Sequence, residues 1–192
     1  MLHRTIGAVL TGSLILTFAA CGGRLYKVAP LPAGAPPEIS TSNVGGLNIG
    51  AVALDGQQSY ERFEANLPLA GVIAVDVRMI NRSDAMIITR SLRFELRDAS
   101  GALRKQLAPK KALGEVMKYY GARFYAKVAY QRTLEDYESV ALKRESAIEP
   151  DGELRGIVFF QTERETASVD GLTLSVAGLT APVNLQVHTA RK

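Results

Sequence analysis

The chain has 192 residues, with 23 Lys or Arg against 19 Asp or Glu and a formal net charge of +4. At 47% hydrophobic and 22% charged it is too apolar for a wholly disordered chain and too polar for a polytopic membrane protein, and its length accommodates one domain. A single cysteine excludes an intrachain disulfide, and two histidines with that cysteine cannot make a Cys/His zinc set, so no metal or other cofactor is expected.

The first twenty residues read as an export signal. His3 and Arg4 precede an uncharged run from Ile6 to Ala20, and no acidic residue appears before Glu38. The run is shorter than the roughly 20 residues that a helix needs to cross a bilayer, and the small residues Ala19 and Ala20 close it. Cleavage is therefore favoured over retention. The next residue is Cys21, and Phe18-Ala19-Ala20-Cys21-Gly22 resembles the lipobox of bacterial lipoproteins. That resemblance implies acylation of Cys21 and a membrane anchor. With Gly22 rather than Asp after the cysteine, it also implies delivery to the outer membrane, facing the periplasm. Ordinary secretory cleavage after Ala19 is the alternative, and it would release a soluble periplasmic protein.

Residues 21–46 read as the lipidated cysteine and a flexible tether. Pro30, Pro32, Pro36 and Pro37 are four of the eight prolines, and Ser40-Thr41-Ser42-Asn43 follows them. Extended proline-rich chain rises about 3.1 Å per residue, so some 25 residues would let a domain stand up to about 75 Å from the lipid.

The domain itself is expected over 47–192. Leu47 to Leu54 opens it. Between Gly71 and Ile80, Ile73, Val75, Val77 and Met79 share one face, while Val72, Ala74, Asp76 and Arg78 share the other. Ile87 to Arg97 alternates likewise, and Asp98-Ala99-Ser100-Gly101 turns the chain into Leu103 to Leu107. Glu153 to Thr162, Leu172 to Val176 and Val183 to Val187 complete about seven strands, so the reading is a mainly β, immunoglobulin-like antiparallel sandwich with one wet face. Phe94 and Phe160 are placed in its core. The strand ending in Asn81-Arg82-Ser83, the turn at Asp98 to Gly101, and Pro150-Asp151-Gly152 leading into Leu154 to Phe160 resemble uncharacterised bacterial envelope lipoproteins with an immunoglobulin-like domain. The resemblance implies a fold and an extracytoplasmic setting, and it carries no catalytic residue.

A helical insert is expected at about 110–148, where the period lengthens toward 3.6. Leu113, Val116, Met117 and Tyr120 form one apolar stripe, and Tyr130, Leu134, Tyr137 and Ala141 another, although Phe124, Ala126, Val128 and Tyr130 also alternate as a strand would. The insert holds eight basic and five acidic residues between Lys110 and Ile148, a net +3. Lys110, Lys111, Lys118 and Lys127 are the candidate partner-binding residues, with Arg123 beside them, because they offer charge to an acidic protein, a phosphate-rich lipid headgroup or an anionic envelope polymer. Glu135, Asp136 and Glu138 read as a solvated helix face, and the spacing of Tyr119, Tyr120 and Phe124 favours core packing over ligand binding.

Catalysis is not expected. Ser91 and Ser175 have no Gly-x-Ser-x-Gly turn, and His188 follows the last strand close to the terminus. The export signal argues against a nucleic-acid partner despite the basic pI. The function expected is a lipid-anchored, non-catalytic envelope module, with a module that binds or shields an apolar ligand or lipid between insert and sheet as the alternative.

Overall fold

The computed structural model describes residues 23–32, 40–143, 147–166 and 169–189; the signal segment and Cys21 lie outside them. Within those residues the chain is mainly β, with eleven strands in antiparallel sheets and three α-helices.

β1 (Ser40–Val44) and β2 (Leu47–Ala53) form a hairpin on the two-residue turn Gly45-Gly46. Both glycines have positive φ, 57° and 82°, the backbone that tight hairpins require and that side-chain-bearing residues resist. β3 (Val72–Asn81) pairs with β2 on one side and β9 (Glu153–Gln161) on the other, with Ile73 opposite Phe160 and Val75 opposite Val158. β7 (Gln106–Leu107) closes this five-stranded sheet, in the order β1-β2-β3-β9-β7. The second sheet has the order β11-β10-β5-β6, built from β5 (Arg93–Arg97), β6 (Leu103–Arg104), β10 (Leu172–Ala177) and β11 (Val183–Val187). A small third sheet pairs β4 (Ile87–Ile88) with β8 (Ala147–Ile148).

The two large sheets share one apolar core. The predicted inward set Ile73, Val75, Val77 and Met79 meets Leu92, Phe94, Leu96, Leu174 and Leu185 there, with Phe160 from β9. Phe94 and Phe160 are both buried, as expected. The expected strand over Ile87 to Arg97 is interrupted by a 3-10 turn at Thr89–Ser91, where Gly178 approaches so closely that a Cβ on it would lie 2.2 Å from the Ser91 carbonyl oxygen. The expected strand over Leu103 to Leu107 is split too. Its halves, β6 and β7, belong to different sheets, so the chain crosses between them at Lys105.

The helices form a third layer on the outer face of the five-stranded sheet. α1 (Gly56–Phe63), α2 (Pro109–Tyr119) and α3 (Lys127–Val140) bury Phe63, Leu113, Val116, Leu134 and Tyr137 against Val72, Ala74, Ile157 and Phe159. Both faces of this sheet are therefore dry where the helices cover it, while Thr41, Asn43 and Glu153 stand exposed beyond them. The wet face expected of the strand over Ile87 to Arg97 is present on the four-stranded sheet, where Arg93, Glu95 and Arg97 stand exposed, whereas on β3 Arg78 is half-buried and Asp76 is fully covered. Asp76 is buried and bound bidentately by Arg155 at 2.9 and 2.7 Å, which satisfies a charge that burial alone would not tolerate.

The flexible-tether expectation over 21–46 is corrected for the residues described. Ser40–Val44 is a strand of the sheet, and Gly23–Pro32 is docked on the helical layer.

Candidate functional site

The outer helical layer carries the four candidate partner-binding lysines, while the lipidation candidate Cys21 lies outside the described residues, and the assembly of the layer starts with α1. Asp55 caps that helix by accepting the Gln58 N–H at 2.7 Å, while Gln58 Oε1 accepts the Asp55 N–H at 3.1 Å. This reciprocal cap places Phe63 5.0 Å from the Tyr137 ring and 5.8 Å from the Phe159 ring, so α1, α3 and the sheet meet in one aromatic cluster. The Tyr137 hydroxyl is buried without a hydrogen-bond partner, and burial pushes its pKa well above that of an ordinary tyrosine.

A strap from Gly23 to Pro32 lies across this layer. The Leu25 N–H donates to Thr133 Oγ1 at 2.8 Å, the Lys27 N–H to Glu64 Oε2 at 3.0 Å and the Ala29 N–H to the Arg62 carbonyl at 2.7 Å. Two guanidiniums hold its far end: Arg62 donates to the Pro30 carbonyl at 3.0 Å, and Arg155 to the Pro32 carbonyl at 2.6 Å. Arg24 pairs with Asp136, and the Tyr26 ring sits 6.1 Å from that of Tyr120. Leu25, Tyr26, Val28 and Leu31 pack on the helical core. Proline fits such a strap because its missing N–H is not needed by any ladder.

The four candidate lysines are all exposed, and none forms an ion pair among the described residues. Lys111 and Lys118 fall on the arc of α2 opposite its buried side and Lys110 at the edge of that side, whereas Lys127 opens α3 across the connecting turn. Three of the four occupy first turns, Lys110 and Lys111 in α2 and Lys127 in α3, and neither first turn holds an acidic residue or a side-chain cap. A cation there opposes the helix dipole and leaves the local potential strongly positive. The insert's acids are partly engaged, Glu115 with Arg164 at 3.0 Å and Asp136 with Arg24.

The turn between α2 and α3 departs from expectation. Tyr119 is half-buried, and Tyr120 accepts the Asn66 N–H at 2.9 Å, but Phe124 is 99% exposed and belongs to no core. Tyr125 and Val128 are exposed beside it, with Tyr125 stacked on Tyr130 at 5.6 Å. Between Glu115 and Glu135 the chain holds four basic residues and no acidic one. Sequence reasoning misses this surface because helical spacing by itself assigns an aromatic to the core; the clue is Gly121, whose φ of 68° ends α2 ahead of Phe124.

An open cleft of about 480 Å³ lies where the insert leaves and rejoins the sheet, lined by Leu107, Pro109, Ala141, Leu142, Ile157 and Phe159 among others. Leu142 passes so near β9 that a Cβ on Gly156 would fall 2.4 Å from its Cα. Among the described residues no group of three or more His, Cys, Asp or Glu is placed to hold a metal, and no helix is long and apolar enough to cross a membrane.

No protein-family model matches this chain, and no curated protein is similar to it. Among solved structures it is similar over 77% of its length to the yjhA protein from Bacillus subtilis, at 10% identity, 95% coverage of that chain and a TM-score of 0.41. It is similar over 78% of its length to a conserved hypothetical protein from Bacillus anthracis, at 9% identity, 94% coverage and a TM-score of 0.38. Neither likeness is close enough to say what this chain does.

Proposed function

We propose that this protein is a lipid-anchored envelope module, acylated at Cys21, with no catalytic role, whose helical layer binds an anionic component of the envelope. Its two sheets are read as an immunoglobulin-like sandwich that carries this layer on one face. The observation that supports the reading is the placement of Lys110, Lys111 and Lys127 in helix first turns, exposed and unpaired among the described residues. Local stability favours Asp or Glu at those positions, and a cation kept there points to a use outside the fold.

Fatty-acid labelling should mark the wild type and leave Cys21→Ser unlabelled. Reversing Lys110, Lys111, Lys118 and Lys127 to Glu should abolish recovery of the anionic partner from envelope extracts without lowering the melting temperature. Each of the three first-turn reversals adds about 0.3 to 1 kcal/mol of dipole stabilisation, and only the Lys118 change works against it. Unaltered recovery by the folded variant would refute the electrostatic reading. The cleft at β9 supports the second reading, an apolar ligand held between insert and sheet, which bound lipid in native mass spectra would favour.

A further inference from the structure

The sequence suggests a domain swinging on a long tether, but the strap changes the geometry. With Arg24 paired to Asp136 and the Leu25 N–H on Thr133, both on α3, Cys21 stands three residues before Arg24 in the chain, a reach of no more than about 11 Å. An acyl chain on Cys21 would therefore hold α3 at the bilayer surface rather than tens of ångströms from it. The strap also touches the end of α2 through the Tyr26 and Tyr120 rings, four residues before Phe124.

We propose that the α2–α3 turn rests in the headgroup layer of the anchoring bilayer, with Phe124 inserted among the lipids and Arg123 and Lys127 on their phosphates. This inference rests on the anchored reading above and names the lipid surface as its anionic partner. The residues fit that occupant. Phe124 is 99% exposed, exposed Tyr125 and Val128 extend the apolar surface, and every charged residue along the chain from Lys118 to Arg132 is basic, the pattern of aromatic and cationic side chains that seats a segment at a membrane interface.

The chain contains no tryptophan, so Phe124→Trp creates a single fluorescent reporter at a site where the fold makes no demand on the side chain. In the full chain with vesicles of phosphatidylethanolamine and phosphatidylglycerol, the indole emission of Phe124→Trp should shift to the blue and be quenched by doxyl-labelled lipid. The indole of a separate Asn184→Trp variant, on the exposed side of β11, should remain in water. Reversing Arg123 and Lys127 to Glu in the Phe124→Trp background should remove the quenching. Water-like, unquenched emission from Phe124→Trp would overturn the proposal, as would a shift seen only with envelope protein and not with lipid. Quenching that survives the charge reversal would overturn the role given to the two cations. Fatty-acid labelling reads the anchor separately: label present with the turn reporter in water refutes the contact alone, and label absent with the turn reporter quenched refutes the anchor alone.

Discussion

The two large sheets are built from similar alternating strands, yet their outer faces have opposite fates. On the four-stranded sheet, Arg97 and Glu95 stand 3.9 Å apart with side chains 48% and 51% exposed. On the five-stranded sheet, Arg155 and Asp76 stand 2.7 Å apart at 9% and 2%. The first pair is a solvated rim. The second is a polar seam within a dry interface, where the helices and strap cover Val72, Ala74, Ile157 and Phe159. A charged residue at an outward strand position thus does not show by itself that water lies beyond it. The difference also shows that the helical layer is part of the packed body, so α2 and α3, which carry the lysines, are seated on the core rather than forming a loose excursion.

The largest test of this contrast is Phe159→Ala. Phe159 faces the helices and Phe160 the other sheet, and both are buried, so each truncation should cost about 3 to 5 kcal/mol in denaturant unfolding. Glu95→Ala on the wet face should cost under about 0.5 kcal/mol. A Phe159 variant as mild as the Glu95 variant would show that the helices do not seal this sheet.

Arg155→Leu should cost about 3 kcal/mol, because it strands a buried Asp76 carboxylate and releases the Pro32 carbonyl. Amide exchange at Leu25, Lys27 and Ala29 should quicken in the same variant. Arg97→Leu should change neither quantity measurably, as expected of an exposed pair. Unchanged strap exchange in Arg155→Leu would mean that Arg62 and the backbone bonds hold the strap unaided.

The smallest expected effect has the opposite sign. Gly114 lies on the exposed side of α2, and a Cβ there meets nothing within 4 Å, so Gly114→Ala should stabilise the protein by about 1 kcal/mol through helix propensity alone. A loss of stability would show that the outer arc of α2 is less open than its surroundings indicate.

Much of this architecture was legible in the residues. Period-two alternation located β3, β5, β9, β10 and β11 and put Phe94 and Phe160 inside, and the 3.6-residue stripes located α2 and α3. Those features depend on neighbours in the chain, and periodicity records them directly. α1 went unread although Asp55 and Gln58 spell a capping box, because only Ser59 and Phe63 of its eight residues are buried and no stripe stands out. The rest was decided by partners distant in sequence. Arg155 turns Asp76 from an apparent surface charge into an interior one from 79 residues away, and Thr133, 108 residues along, converts a proline-rich stretch from spacer to strap. Phe124 sits at a core-like spacing, but whether an aromatic is covered depends on what the tertiary structure packs over it. Local pattern can specify which face of an element is apolar. Only the folded chain determines what lies against that face, since burial is set by the contacts the whole chain makes.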